Sequence, residues 1–135
     1  MATIKIYSGN TSTGILSLSD GGHTWERKGG SINWKIKHEA NVSSIEKIAL
    51  KPKSLNIFSE LPRMSGGNWK AKIADDASNF AESKYFIVWK DQDNNEHTHD
   101  PKISVKPSLT SLLLPILAVV GIVTLGLCVS KSIKR

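Results

Sequence analysis

The sequence predicts an all-β fold, an antiparallel sandwich of about seven to nine strands, followed by one C-terminal transmembrane helix. Apolar and polar residues alternate with a period of two through much of residues 1–107, as expected for strands with one buried and one solvated face. In contrast, the 21 residues 109–129 contain no Asp, Glu, Lys, Arg or His. These two patterns predict a soluble domain over 1–107, a membrane helix over 108–130 and a short basic tail over 131–135.

The predicted strands follow one another at short, nearly regular intervals. "SINWKIKH" alternates Ile32, Trp34 and Ile36 with polar neighbours, and "NWKAKI" repeats that pattern. "YFIVWK" is apolar on both faces, which is typical of a central strand. Further strands are predicted around residues 4–6 and 103–105, and at 15–18, 24–27, 45–50 and 55–58. Turns rich in Gly, Pro and Asn separate them, and no segment has a convincing amphipathic-helix pattern.

Each half-buried sheet needs a partner layer, and without helices that layer must be a second sheet. The strand pattern therefore favours an immunoglobulin-like sandwich. It lacks the Cys…Trp…Cys pattern of antibody domains, because Cys128 is the only cysteine of the chain.

The uncharged run is long enough to span a bilayer, since a helix rises about 1.5 Å per residue and the hydrocarbon core is about 30 Å thick. The first residues show no signal-peptide pattern. Three basic residues on each side of the run give the positive-inside rule no preference. We therefore expect a single-pass C-terminal anchor with a cytoplasmic domain. Contacts with the membrane surface are expected from Lys102, Lys106, Lys131, Lys134 and Arg135.

Three small residues, Ala118, Gly121 and Cys128, share roughly one face of the predicted helix. Small side chains let helices approach closely in lipid, so this face is a candidate helix–helix contact. The run contains no G-x-x-x-G motif, and a monomeric anchor is the alternative interpretation.

The segment "DGGHTWE" resembles part of an Asp-box, the hairpin found in sialidase-like propellers. Asp20, Gly22, Thr24 and Trp25 match the motif, whereas Leu18 stands where the motif has serine. A propeller needs several blades, which this chain is too short to supply. The resemblance implies a turn closed by the aspartate, with Trp25 packed against it and no glycosidase activity.

The segment "EHTHD" places His97 and His99 on one face of a predicted strand, close in sequence to Asp91 and Asp93. Such residues can hold zinc or calcium at a hairpin tip, but strand histidines are more often solvated or hydrogen-bonded. We predict no metal and no cofactor. The candidate binding loops are those carrying Asp20, Trp25, Asp91, Asp93, His97 and His99.

Composition and motifs exclude several functional classes. Trp34, Trp69 and Trp89 lie in phase with aliphatic neighbours, which favours core packing over a carbohydrate platform. We find no catalytic constellation and predict that the protein is not an enzyme. The 15 Lys and Arg of residues 1–107 are scattered among 12 Asp and Glu, which is not a nucleic-acid footprint.

The first functional hypothesis is a membrane-held module that recognises a protein partner or a small ligand, or associates with itself, at the lipid surface. One alternative is a membrane-disrupting effector, of toxin or anti-phage type, in which the sandwich clusters the transmembrane helices. A second alternative is an exported lectin-like domain.

Overall fold

The structure is a computed structural model that describes residues 1–108. The predicted membrane helix and basic tail, with Ala118, Gly121, Cys128, Lys131, Lys134 and Arg135, lie outside the described residues. Within residues 1–108, no helix has the length and apolar character needed to cross a bilayer.

The described residues form ten strands and no helix. In chain order they are β1 (Ala2–Gly9), β2 (Leu16–Leu18), β3 (His23–Arg27), β4 (Ser31–Ile36), β5 (Val42–Leu50), β6 (Phe58–Ser65), β7 (Asn68–Ile73), β8 (Glu82–Asp91), β9 (Glu96–His99) and β10 (Lys102–Lys106). The first sheet has the order β2-β1-β4-β7-β6, and the second has the order β3-β10-β8-β5. Strand β9 pairs with the second half of β8.

The prediction of an all-β fold is confirmed for residues 1–108, but the predicted antiparallel arrangement is wrong for two strand pairs, since both sheets are mixed. Strands β1 and β4 pair in parallel, with Ile4 opposite Trp34, and β3 pairs in parallel with β10. The physical reason is the path of the chain, because β2, β3, β4 and β5 alternate between the two sheets. Neighbours within a sheet are then often distant in sequence, and the alternation of apolar residues carries no information about strand direction.

The core lies between the two sheets and is built from the inward side chains of both. Its most buried members are Ile4, Ile6, Ile32, Trp34, Ile73, Tyr85, Ile87, Trp89, Ile103 and Val105. Trp34 and Tyr85 join the sheets: the indole Nε1 of Trp34 donates to the Tyr85 hydroxyl oxygen at 3.2 Å, and the rings meet edge to face at 5.7 Å. Burial raises the pKa of the Tyr85 hydroxyl strongly, so it stays neutral.

Three local predictions differ from the structure. The strand predicted at 55–58 is β6, which begins at Phe58 and includes Pro62 in an edge position where proline costs no ladder hydrogen bond. The single return strand predicted after residue 91 is divided into β9 and β10 around Pro101. Trp25 is 44% exposed, because β3 turns Thr24 and Glu26 towards the interior.

The strands define two ends of the sandwich. The exit end is where β10 finishes at Lys106, with the end of its parallel neighbour β3 and the start of antiparallel β8 beside it. The distal end contains the end of β8 and the start of β5, since Val42 lies opposite Asp91. Strand β8 has 10 residues, and at about 3.3 Å per residue the two ends are about 30 Å apart.

Candidate binding groove

A groove opens at the distal end, between the edges of the two sheets. Its volume is about 250 Å³, and its lining residues come from β4, β5 and the β6–β7 hairpin: Trp34, Ile36, Ser43, Ser44, Ile45, Met64, Gly67, Asn68 and Trp69. Strands β5 and β6 each end their sheet. Nothing among the described strands pairs with their outer sides, which leaves the groove accessible between them.

The β6–β7 hairpin builds one wall of the groove. Gly66 and Gly67 form its two-residue turn with φ of 59° and 85°, a left-handed pair that glycine adopts without strain. The turn sets Met64 opposite Trp69, and Trp69 lies opposite Trp34 of β4. Directly opposed residues share a face of the sheet, so Met64, Trp69 and Trp34 form a continuous apolar row from the rim to the core.

The groove suits binding through buried apolar surface with a few polar contacts. Met64 is 52% exposed at the rim, whereas Trp69 is half-buried and packs against the core. The indole Nε1 of Trp69 is buried and has no hydrogen-bond partner among the described residues. Ser43, Ser44 and Asn68 supply hydroxyl and amide groups. None of the residues that line the groove is ionisable, so the groove itself offers no general acid or base.

None of the six sequence-predicted binding residues lines this groove. Asp91, at the distal end, stabilises the β8–β9 turn instead. Its Oδ1 accepts hydrogen bonds from the backbone N–H groups of Asp93 at 2.9 Å and Asn95 at 3.0 Å. Its Oδ2 lies 2.8 Å from Nε2 of His97. The hydrogen bond with His97, followed by that from Asn95, holds the pKa of the Asp91 carboxyl below its usual range.

The two histidines of "EHTHD" face the interior. The His97 ring stacks on Trp89 with centroids 4.4 Å apart, and its Nε2 is occupied by Asp91. His99 Nδ1 accepts a hydrogen bond from the backbone N–H of Leu16 at 3.3 Å. Asp93 remains exposed at the turn. Residues 1–108 contain no group of three or more His, Cys, Asp or Glu side chains placed to hold a metal ion.

Burial lowers the pKa of His99, and its hydrogen bond explains why the neutral ring is favoured. Protonation of Nδ1 would turn this acceptor into a donor, so two N–H groups would face each other and the hydrogen bond from Leu16 would be lost. Between the ordinary histidine pKa of about 6.5 and the lower folded-state value, the unfolded chain binds a proton that the folded chain does not. We therefore expect the stabilisation from neutral His99 to be complete above about pH 6.5 and to decline as the pH falls below it.

Denaturant unfolding of the full-length protein in mild detergent, from pH 7.5 to 5, measures this effect. The loss of stability towards pH 5 should be smaller in His99→Gln, whose amide oxygen can still accept the Leu16 N–H. If the two proteins lost stability in parallel, the assignment of this pH dependence to His99 would be wrong.

Asp20 closes its turn as the Asp-box resemblance implies, but the turn is not a hairpin. Its carboxylate accepts hydrogen bonds from the backbone N–H of Gly22 at 2.8 Å and from the Thr24 hydroxyl. The flanking strands β2 and β3 belong to different sheets, so the turn carries the chain across the sandwich. Trp25 follows on the outer surface, where its ring meets His23 and Phe80 rather than the turn.

The sequence interpretation missed Met64, Asn68 and Trp69 as a site. The sequence feature that could have indicated this site is the pair Gly66–Gly67, which lies between two strand-like segments and is typical of a two-residue hairpin. Pro62 and the irregular polarity of β6 hid the first of those segments.

The chain matches no protein-family model, and no curated protein matches it.

Proposed function

We propose that this protein is a membrane-tethered, non-enzymatic binding module whose distal groove accepts apolar side chains of a protein partner. The proposed architecture is an immunoglobulin-like sandwich in the cytoplasm, followed by a transmembrane helix. The observation that carries it is the apolar row Met64–Trp69–Trp34, which leads from an exposed rim into the core.

The size of the groove favours a protein side chain over a free small molecule. Sites for small molecules usually enclose about 300–1,000 Å³, whereas this groove has about 250 Å³ and is open to solvent. Methionine adapts its shape to different partners, and tryptophan is enriched among the residues that dominate binding energy. Met64 and Trp69 therefore have the character of a recognition pair.

The edge of β6 favours insertion of side chains over addition of a partner strand. Pro62 cannot donate a backbone hydrogen bond, and the pairing of β6 shifts in register on both sides of Glu60. Prolines and bulges of this kind protect edge strands from pairing with other chains. Leu61 and Met64 nevertheless expose their side chains along this edge, which extends the apolar contact surface beyond the groove.

The tether is supported by the uncharged residues 109–129, which come two residues after Pro107. With the exit end at the lipid, the groove lies about 20–30 Å from the headgroups and opens away from the membrane. A partner in the aqueous phase can therefore reach it.

We expect a photo-crosslinking amino acid at Met64 of the full-length protein, in its native cells, to capture one defined protein. The same group at Ser17, exposed on the opposite edge strand β2, is the matched control and should not capture it. With that partner purified, Trp69→Ala should weaken binding by about 30-fold or more, as for a residue that dominates an interface.

Met64→Glu provides a second variant, because it places a charge at the exposed rim without opening the core. It should weaken binding while leaving the circular dichroism spectrum unchanged. Equal capture from positions 64 and 17, or unchanged affinity in both variants, would show that the groove is not the binding site.

A further inference from the structure

We infer that Trp25 and Phe80, on the outer surface at the exit end, lie in the headgroup region of the membrane and set the orientation of the sandwich. This inference rests on the membrane tether of the proposed function. It adds a second contact with lipid, made by the folded domain rather than by the apolar run.

The two rings form one exposed aromatic surface. Trp25 is 44% exposed and Phe80 is 60% exposed, and the rings meet edge to face with centroids 6.3 Å apart. Trp25 lies opposite Ser104 of β10. The backbone N–H of Phe80 donates to the Val105 carbonyl oxygen at 2.8 Å. Both aromatic residues are therefore fixed to the last strand, just before the chain leaves the sandwich.

Core packing does not account for Phe80. Its φ is +65°, in the left-handed region that bulky side chains rarely adopt because it is strained. This backbone leaves a large apolar ring in solvent. Single exposed apolar residues are common, but two aromatic rings in contact at the point of chain exit form a more specific surface.

Basic residues flank the aromatic pair. Arg27 lies opposite Lys106 at the ends of the parallel strands β3 and β10, and Lys28 follows. The Asp75 carboxylate lies close to Gly29, the next residue along the chain, and offsets part of this charge. Lys102, at the start of β10 and so farther from the exit end, pairs with Glu82 at 3.4 Å. Tryptophan with Lys and Arg is the composition found at membrane interfaces, where cations also attract anionic lipid.

The short stretch of chain between β10 and the uncharged run indicates that the bilayer covers this surface. Lys106 and the uncharged run that begins at residue 109 are three residues apart. At no more than about 3.5 Å per residue, Lys106 must lie within about 10 Å of the start of the run. The lipid headgroup layer, which borders the hydrocarbon core, then extends to the exit end and to the aromatic pair beside Lys106.

The test is tryptophan quenching in the full-length protein reconstituted into phosphatidylcholine–phosphatidylserine vesicles with brominated acyl chains. We expect the vesicles to quench the wild type and Trp25→Phe to lose most of that quenching. Trp69→Phe is the matched control, because Trp69 is also partly accessible but lies at the distal end. It should retain the wild-type quenching.

Vesicle flotation separates this inference from the proposed tether. If the protein floats with the vesicles and Trp25→Phe is quenched as strongly as the wild type, the interfacial placement is wrong and the tether stands. If the full-length protein fails to float, both are wrong. Flotation together with loss of quenching specific to Trp25→Phe supports both.

Discussion

Replacement of Trp89 by alanine is expected to lower the free energy of unfolding of the sandwich by about 3–5 kcal/mol, as for other large aromatic residues removed from a core. Trp89 is completely buried. Its indole Nε1 donates to the Gly14 carbonyl oxygen at 2.9 Å, and its ring stacks on His97. The substitution therefore leaves a cavity and also removes the partner of a carbonyl group.

The surrounding chain is fitted closely to this ring. A Cβ added at Gly9 would come within 2.7 and 2.8 Å of two Trp89 ring carbons, so the backbone of β1 rests directly on the indole. The Asn41 side chain holds Gly9 through hydrogen bonds with both its N–H and its carbonyl oxygen. Because the surrounding chain is packed so tightly, it can relax little into the cavity. We therefore expect the loss of unfolding free energy to lie in the upper part of the 3–5 kcal/mol range, at about 4–5 kcal/mol.

Trp25→Ala is the matched control, since it removes the same side chain from an exposed position. Surface substitutions usually change stability by about 0.5 kcal/mol or less, and the lost ring contacts with His23 and Phe80 add to this. Denaturant unfolding monitored by circular dichroism compares the two variants. Similar losses of stability in both would contradict the placement of Trp89 in the core.

Alternation of apolar residues was sufficient to predict the strands whose faces differ clearly in polarity. Strands β4 and β7 were found at or within their predicted segments, because every second side chain enters the core. The prediction for β6 is wrong in position, because this strand lies at an edge where only Phe58 is buried. Parallel pairing was not predictable, because it depends on how the chain crosses between sheets.

The candidate site was harder to predict than the fold. Asp91, His97 and His99 carry side chains that can bind metals, yet in the structure they make hydrogen bonds that order a turn and a loop. The groove instead combines residues from segments about 10 to 20 positions apart, such as Trp34, Ser43 and Met64. Their convergence depends on which strands end each sheet, and that information is not contained in any short stretch of sequence.

The second large effect is expected in the orientation of the sandwich on the membrane. In the proposed arrangement, the exit end lies at the lipid surface and the groove about 20–30 Å away from it. Met64 lies at the distal end of β6, and Lys106 is the last residue of β10. Energy transfer to an acceptor on lipid headgroups falls steeply with distance and should therefore differ strongly between donors at these two positions.

The most direct measurement uses the full-length protein in vesicles that contain acceptor-labelled headgroups. Cys128→Ala removes the only native thiol, so a donor can be attached separately at Met64→Cys or Lys106→Cys. Energy transfer is expected to be clearly more efficient from position 106 than from position 64. Equal transfer from both positions, or stronger transfer from position 64, would contradict a sandwich that contacts the membrane with its exit end and opens its groove away from it.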